Sequence, residues 1–358
     1  MKKILAVILA SAMMITSLTG CSKNDKGNNA SDPSVKQPNV EEKKEKPFDG
    51  TTLNVMLAYG GADKSFAKFT EDTGIKVEFL EISTGKALAK LQAEDGNTTS
   101  DIWFGGGVDS YISASELGFL EKYVSPEADA INPTYRDKDG YWTGLALVPA
   151  GFLVNKDILA EKGIEAPKTW KDLADPKYKN EIIMASPAIS GTQYAIVNGL
   201  LQALGKEEGW KLLEEINKNV DVYAKGGGEP GTKVCAGEYG IGILALTGGT
   251  FGMEAEYPVK AISPDDFIPW TPAPIAIFEN SKNKEAAKVF VDYMLSKEGQ
   301  ENLSAADARV MARKDVSVPS VMKMVDTSKL IKQDIALFGC DREAILEKWS
   351  TMVGEKDK

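Results

Sequence analysis

Between Thr52 and Gly118 the chain repeats one unit three times: a short apolar run, a glycine or serine turn, and an amphipathic helix. Leu53, Val55 and Leu57 alternate with the period of two that a strand requires. The turn Tyr59-Gly60-Gly61 leads into a helix with Phe66 and Phe69 on one face, stopped by Gly74. A second strand over 75–82 passes through Ser83-Thr84-Gly85 into a helix carrying Leu88 and Leu91. A third strand, 101–104, breaks at Gly105-Gly106-Gly107 before a helix that ends at Gly118. Strand–helix units in this order build a parallel sheet covered on both faces.

A second set follows Trp142, with strands over 181–185, 220–224 and 239–246. The first enters Ser186-Pro187-Ala188-Ile189-Ser190-Gly191-Thr192 and then a helix bearing Tyr194, Val197, Leu201 and Leu204. The second enters Lys225-Gly226-Gly227-Gly228-Glu229-Pro230, and the third closes at Thr247-Gly248-Gly249-Thr250. An amphipathic helix is expected over 283–296. Two extended stretches, 144–154 and the proline-rich 262–274, join the sets. Two crossings make the first lobe discontinuous: 50–147 with 271–358 form lobe 1, and 148–270 form lobe 2. The expected fold class is therefore α/β, two doubly wound lobes joined by two crossovers. At 358 residues there is enough chain for two cores.

The start of the chain places this body outside the cytoplasm. Lys2 and Lys3 precede an apolar run over 4–18, and Leu18-Thr19-Gly20-Cys21 follows. Residues 1–20 are expected to be a secretory signal peptide. The final four residues resemble a bacterial lipobox, whose cysteine, here Cys21, is lipidated. The plainer alternatives are an ordinary signal peptide or a membrane helix, but the run is shorter than the roughly 20 residues a span needs. Residues 21–49 continue as a lipidated cysteine and a polar tether too poor in apolar groups to order itself. Attachment to the membrane is expected through the lipid alone, at the extracellular face or in a periplasm.

Composition excludes several chemistries. The chain has no histidine, so it has no Ser-His or Cys-His nucleophile pair and no imidazole base or zinc ligand. Cys235 and Cys340 match no metal spacing and are expected to be buried thiols, with a disulfide between them as the alternative. No carboxylate pair or activated nucleophile stands out, so the chain is expected not to be an enzyme. No metal site or cofactor is expected. Loss of Lys2 and Lys3 from a net charge of −10 leaves −12 on residues 50–358. An acidic body argues against nucleic acid and against direct adhesion to anionic lipid. Asn97 and Asn302 begin sequons that carry no meaning for a bacterial exported protein.

A two-lobed α/β body on a lipid tether is the build of a receptor that closes on a captured solute. Four stretches carry a family likeness. They are Asp101-Ile-Trp-Phe-Gly-Gly-Gly-Val-Asp109, Ala185-Ser-Pro-Ala-Ile-Ser-Gly-Thr-Gln-Tyr194, Tyr223-Ala-Lys-Gly-Gly-Gly-Glu-Pro230 with Gly237-Glu-Tyr-Gly-Ile-Gly-Ile243, and Ser281-Lys-Asn-Lys-Glu-Ala-Ala-Lys288 through Gly299-Gln300. In this order they resemble the extracellular solute-binding proteins of ABC importers, in the branch of ferric-ion, hexose-phosphate and aminoethylphosphonate receptors. The resemblance implies a type II periplasmic-binding fold, a cleft between lobes, a membrane permease as partner and a monomer.

Ligands of parallel α/β sheets sit at the carboxyl ends of the strands. The strongest candidate is Ser190-Gly191-Thr192, where hydroxyls, a glycine and a helix N-terminus make an anion site. In related proteins this loop contacts phosphate or a companion anion. Gly105, Gly106, Gly107, Gly226 and Gly227 let backbone donors meet a ligand closely. Tyr59, Gly60, Ser83 and Thr84 occupy the first two cleft loops. Lys225 and Glu229 are candidates for a ligand phosphate and a ligand hydroxyl or amine, while Trp103 is expected to pack rather than stack on ligand. The ligand is expected to be a small anionic solute, an organic phosphate or phosphonate. Ferric iron is the alternative, with Tyr59 or Tyr194 as its phenolate. Iron receptors of this branch use neighbouring tyrosines, and here Leu244-Ala-Leu-Thr-Gly-Gly249 has none. A sensor or adhesin lipoprotein is the reading from another class.

Overall fold

The structure is a computed structural model and describes residues 47–357. The expected signal peptide, Cys21 and the expected tether up to residue 46 lie outside the described residues. In chain order the elements are β1 (Thr52–Ala58), α1 (Asp63–Thr73), β2 (Lys76–Glu81), α2 (Thr84–Ala93), β3 (Ile102–Gly105) and α3 (Val108–Glu116). There follow β4 (Thr143–Asn155), α4 (Lys156–Glu161), β5 (Ile182–Ala185), α5 (Gly191–Leu204), α6 (Lys206–Asn219), β6 (Val220–Ala224), α7 (Glu229–Cys235), β7 (Ile241–Ala245) and α8 (Gly248–Gly252). The chain ends with β8 (Val259–Ile262), β9 (Trp270–Ile277), α9 (Lys284–Leu295), α10 (Lys297–Ala306), β10 (Val310–Met311), α11 (Leu337–Cys340) and α12 (Arg342–Val353).

Hydrogen bonding runs continuously in the order β2-β1-β3-β9-β4-β7-β5-β6, with β8 and β10 also on β4. The parallel expectation holds for β2-β1-β3 and for β7-β5-β6. The crossover strands β4 and β9 pair antiparallel, as do β8 and β10 on β4. From Thr143 to Pro149, β4 pairs with β9, and from Ala150 to Val154 it pairs with β7. The stretch 262–274 is thus only partly a connection, because β9 begins at Trp270.

Each half of the sheet is covered on both faces. Phe66, Phe69 and Phe290 pack beneath Phe104 on one face of the first half, with ring centroids 4.9–6.0 Å apart. These spacings suit edge-on aromatic contact. On the opposite face Trp103 is fully buried and stacks on Tyr111 at 4.3 Å, as expected of a packed residue. In the second half Leu200, Leu201 and Leu213 of α5 and α6 cover one face, and Val234 and Phe251 the other.

Two expectations need correction here. Cys340 is exposed and Cys235 only half-buried, and both thiols are free. The short α11 runs along the surface, where the Cys340 thiol donates to the Ala336 carbonyl at 3.1 Å. The last residues also leave the first lobe. Trp349 of α12 meets Tyr223 of β6 at 5.1 Å, and Lys348 lies over Trp210 of α6 at 4.7 Å. An apolar helix face had to be buried somewhere, and the open flank of α6 and β6 supplies the surface. Arg342 ties this segment back to Asp109 of α3 at 2.9 Å.

Phe290 is fully buried at the centre of its aromatic cluster. Phe290→Ala should cost about 3–5 kcal/mol, read as a lower urea midpoint with an unchanged slope. A loss below about 1 kcal/mol would show that the cluster closes over the gap.

Candidate ligand-binding site

The carboxyl ends of β1, β2, β3, β5, β6 and β7 converge on one cleft of about 590 Å³. From the first half come Tyr59, Gly60, Ser83, Thr84 and Gly106; from the second come Ser190, Gly191, Thr192, Gly226 and Gly227. Val148 of β4 forms the floor between them. Ten of the fourteen candidates therefore share one wall.

Four do not. Gly105 and Gly107 flank the cleft loop but face protein: a methyl on Gly105 would lie 2.6 Å from Tyr59 Cβ, and one on Gly107 2.5 Å from Gly191 Cα. Lys225 turns away to the backbone carbonyl of Asp357 at 2.6 Å. Glu229 opens α7 and folds under Gly226, leaving the cleft to glycine backbone.

The α5 N-terminus is built as its sequence suggests. Ser190 Oγ accepts the Gln193 N–H at 3.4 Å, and Ser190 sits in extended backbone as a helix cap should. The Gly191 N–H donates across the cleft to Thr84 Oγ1 at 3.2 Å. The Gly85 N–H likewise reaches the Ile189 carbonyl at 3.0 Å. The two halves meet here backbone to backbone, which only glycine at 85, 107 and 191 permits. Gly106 has a φ of 89°, the left-handed region that frees the β3–α3 turn to hug the cleft.

Several cleft residues lay outside the candidates: Glu81, Lys86, Thr247, Gly228 and above all Arg309. Arg309 precedes β10, and its guanidinium lies 3.7 Å from the centre of the Tyr59 ring. Its Nε and Nη2 both hold Asp307 Oδ2 at 2.7 Å. Asp307 Oδ1 in turn accepts the Gly249 N–H at 3.1 Å. A fixed, always-charged fork beside an aromatic face is a good anion contact. The available signal was scarcity, since the chain has only four arginines. Burial pushes the Tyr59 phenol up to about 12, against the opposing pull of Arg309. The Tyr59 and Ser83 hydroxyls have no protein partner. Tyr194, by contrast, is buried within α5, where its hydroxyl accepts from Asn198 at 3.3 Å. It does not line the cleft.

A methyl at Gly85 would overlap the Ala188 carbonyl oxygen. Gly85→Ala should therefore hold the two cleft rims apart, with each half still folded. Small-angle scattering should show a larger radius of gyration at an unchanged circular dichroism spectrum. A scattering curve identical to wild type would show that the contact yields.

Residues 98–335 match the family model described as bacterial extracellular solute-binding protein. An uncharacterized protein of Haemophilus influenzae is 33% identical over 290 residues, covering 78% of this chain and 84% of the relative. The binding protein AfuA of Actinobacillus pleuropneumoniae, solved with exogenous fructose-6-phosphate bound, is 28% identical. It superposes with a TM-score of 0.79 over 85% of this chain and 98% of its own. Iron-bound HitA of Pseudomonas aeruginosa, at 21% identity, shares the fold with a TM-score of 0.72, over 85% of this chain and 99% of its own. Among the described residues no helix is long and apolar enough to cross a membrane. The type II periplasmic-binding fold and the family model agree: this chain belongs to the bacterial extracellular solute-binding proteins, which serve ABC importers as receptors and not as enzymes.

Proposed function

We propose that the cleft captures a small organic phosphate or phosphonate and presents it to a membrane permease. The observation that carries this reading is the balance of groups on the cleft wall. Arg309 (held by Asp307), Lys86, the first turn of α5 and three consecutive glycines offer donors, and Glu81 is the one carboxylate lining the cleft. An anion is stabilised by this arrangement, with the helix dipole adding to the guanidinium. Hydroxyls at Ser83, Thr192 and Thr247 suit a ligand that also carries hydroxyl groups. The fructose-6-phosphate of AfuA is such a ligand. Ferric iron wants several anionic oxygens, and Tyr59 is the only tyrosine on the wall, with its phenol held protonated by burial.

The Ser190→Ala, Thr192→Ala double change removes two hydroxyls and leaves the backbone donors. Hydrogen bonds to charged groups contribute roughly 1.5–3 kcal/mol each, so affinity should fall at least about tenfold with the fold retained, beside a loss of roughly 0.5–2 kcal/mol from the removed Ser190 cap. Arg309→Met should weaken binding by a similar factor or more. Titration calorimetry against fructose 6-phosphate, aminoethylphosphonate and ferric citrate decides the ligand class. Tight iron binding with a visible charge-transfer band, and no response to phosphate esters, would overturn the assignment.

The same reading extends to how the protein is held and how it moves. Lobe closure pivots near Val148 and Ile268, where the crossovers pass between halves. Cys21 carries the lipid that keeps a monomeric receptor at the outer face of the membrane. Cys21→Ser should release the protein from membranes with its folded body intact. Equal incorporation of labelled fatty acid into wild type and variant would show that another residue is lipidated.

A further inference from the structure

We infer that Asp357 is a positioning residue that pins the two anion-binding loops of the second half from behind. It lies far in sequence from the loop residues it holds, Ser186 and Lys225. Gly354, with a φ of 58°, ends α12 and reverses the chain. Residues 355–357 then run back beneath the carboxyl ends of β5 and β6. There Asp357 Oδ2 accepts from the Ser186 hydroxyl at 2.7 Å and from the Trp349 indole N–H at 3.2 Å. The Lys225 ammonium donates to the Asp357 backbone carbonyl at 2.6 Å and lies 3.4 Å from Oδ1. Lys356 adds two bonds of 2.6 Å, to the carbonyls of Asn217 and Val220.

Two of these ties, to Ser186 and Lys225, land at the root of a cleft loop. Ser186 is 1% exposed, and its carbonyl accepts the N–H groups of Ile189 and Ser190 at 3.1 and 2.9 Å. It therefore sets the turn that delivers Ser190-Gly191-Thr192. Lys225 immediately precedes Gly226-Gly227-Gly228, a run with no side chains to hold itself in place. Both loops would otherwise be ordered only as the ligand arrived, at a cost in affinity. Most of the holding falls to the buried Ser186 and Trp349 bonds, because the Lys225 side chain is 45% exposed. Asp357 touches no cleft atom, and Lys225 serves the scaffold instead of the solute.

The proposal relies on the preceding section only for the statement that these loops meet an anion. Amide hydrogen exchange on the full chain tests it without any ligand. In Asp357→Ala, peptides covering 186–192 should exchange about tenfold faster, the weight of one hydrogen bond to a charged group, and those covering 225–228 less so, because Lys225 keeps its bond to the backbone carbonyl of residue 357. Peptides from α9 should be unchanged. Asp357→Asn keeps an acceptor for Ser186 and Trp349, and should restore slow exchange. Wild-type exchange of 186–192 in Asp357→Ala would overturn the proposal, as would a uniform rise across the second half or failure of asparagine to rescue. Calorimetry with fructose 6-phosphate then reads the consequence, an affinity loss of similar size in Asp357→Ala alone. A wild-type protein that ignores every phosphate ester overturns the ligand assignment, while the exchange result still decides the pin.

Discussion

The cleft depends on one strand that belongs to both halves. All thirteen residues of β4 are buried, and the strand changes partners between Pro149 and Ala150. The Pro149 carbonyl accepts the Leu246 N–H of the second half at 2.8 Å. The next amide, Ala150, donates to Pro269 at the edge of β9 at 2.9 Å. Proline has no N–H to satisfy, so the switch leaves no orphaned donor at its most crowded point. Because β1–β3 and β5–β7 are assembled on either side of this junction, their carboxyl ends face a common space. Val148, one residue before the switch, becomes its floor.

If the cleft takes an anion, as proposed, this acidic chain must solve its electrostatics locally. Net charge is −10, yet the cleft wall presents one carboxylate among its donors. Arg309 is the one strong full charge held in place, by Asp307 on one side and the Tyr59 ring on the other. Asp307 also holds the Gly249 N–H at the start of α8. The same carboxylate thus orients the arginine from the first half and anchors a loop of the second. Neutralising the guanidinium in part is compatible with release, since a receptor that hands its solute to a permease must let go.

Strand ends and glycine turns were legible because each rests on local rules: period-two apolar runs stop where a glycine follows, and the ligand rule for parallel sheets does the rest. That logic placed Tyr59, Ser83, Thr84, Ser190, Gly191 and Thr192 on one wall. It failed where direction is set by a distant partner. Lys225 could point either way from its strand end, and Asp357, 132 residues later, decides the matter. Gly107 and Gly191 looked like two ligand turns and are also each other's neighbours. Arg309 was invisible for another reason. It lies in Ala306-Asp307-Ala308-Arg309, a connection with neither strand nor helix periodicity, so nothing local marked it. The burial assigned to Cys340 rested on residue type alone, and a four-residue surface helix is too short to enclose it.

The meeting of the halves explains why the cleft can be selective by size as well as by charge. Where Gly85 meets Ala188 and Gly107 meets Gly191, backbone lies against backbone with no side chain between. Side-chain contacts could repack to admit a larger guest, but peptide units in van der Waals contact cannot approach further or tilt without breaking the Gly85–Ile189 and Thr84–Gly191 hydrogen bonds. The cleft of about 590 Å³ is bounded near its rim by these backbone contacts. That volume lies in the small-molecule range. A bulkier ligand would have to hold the rims apart and forgo those bonds.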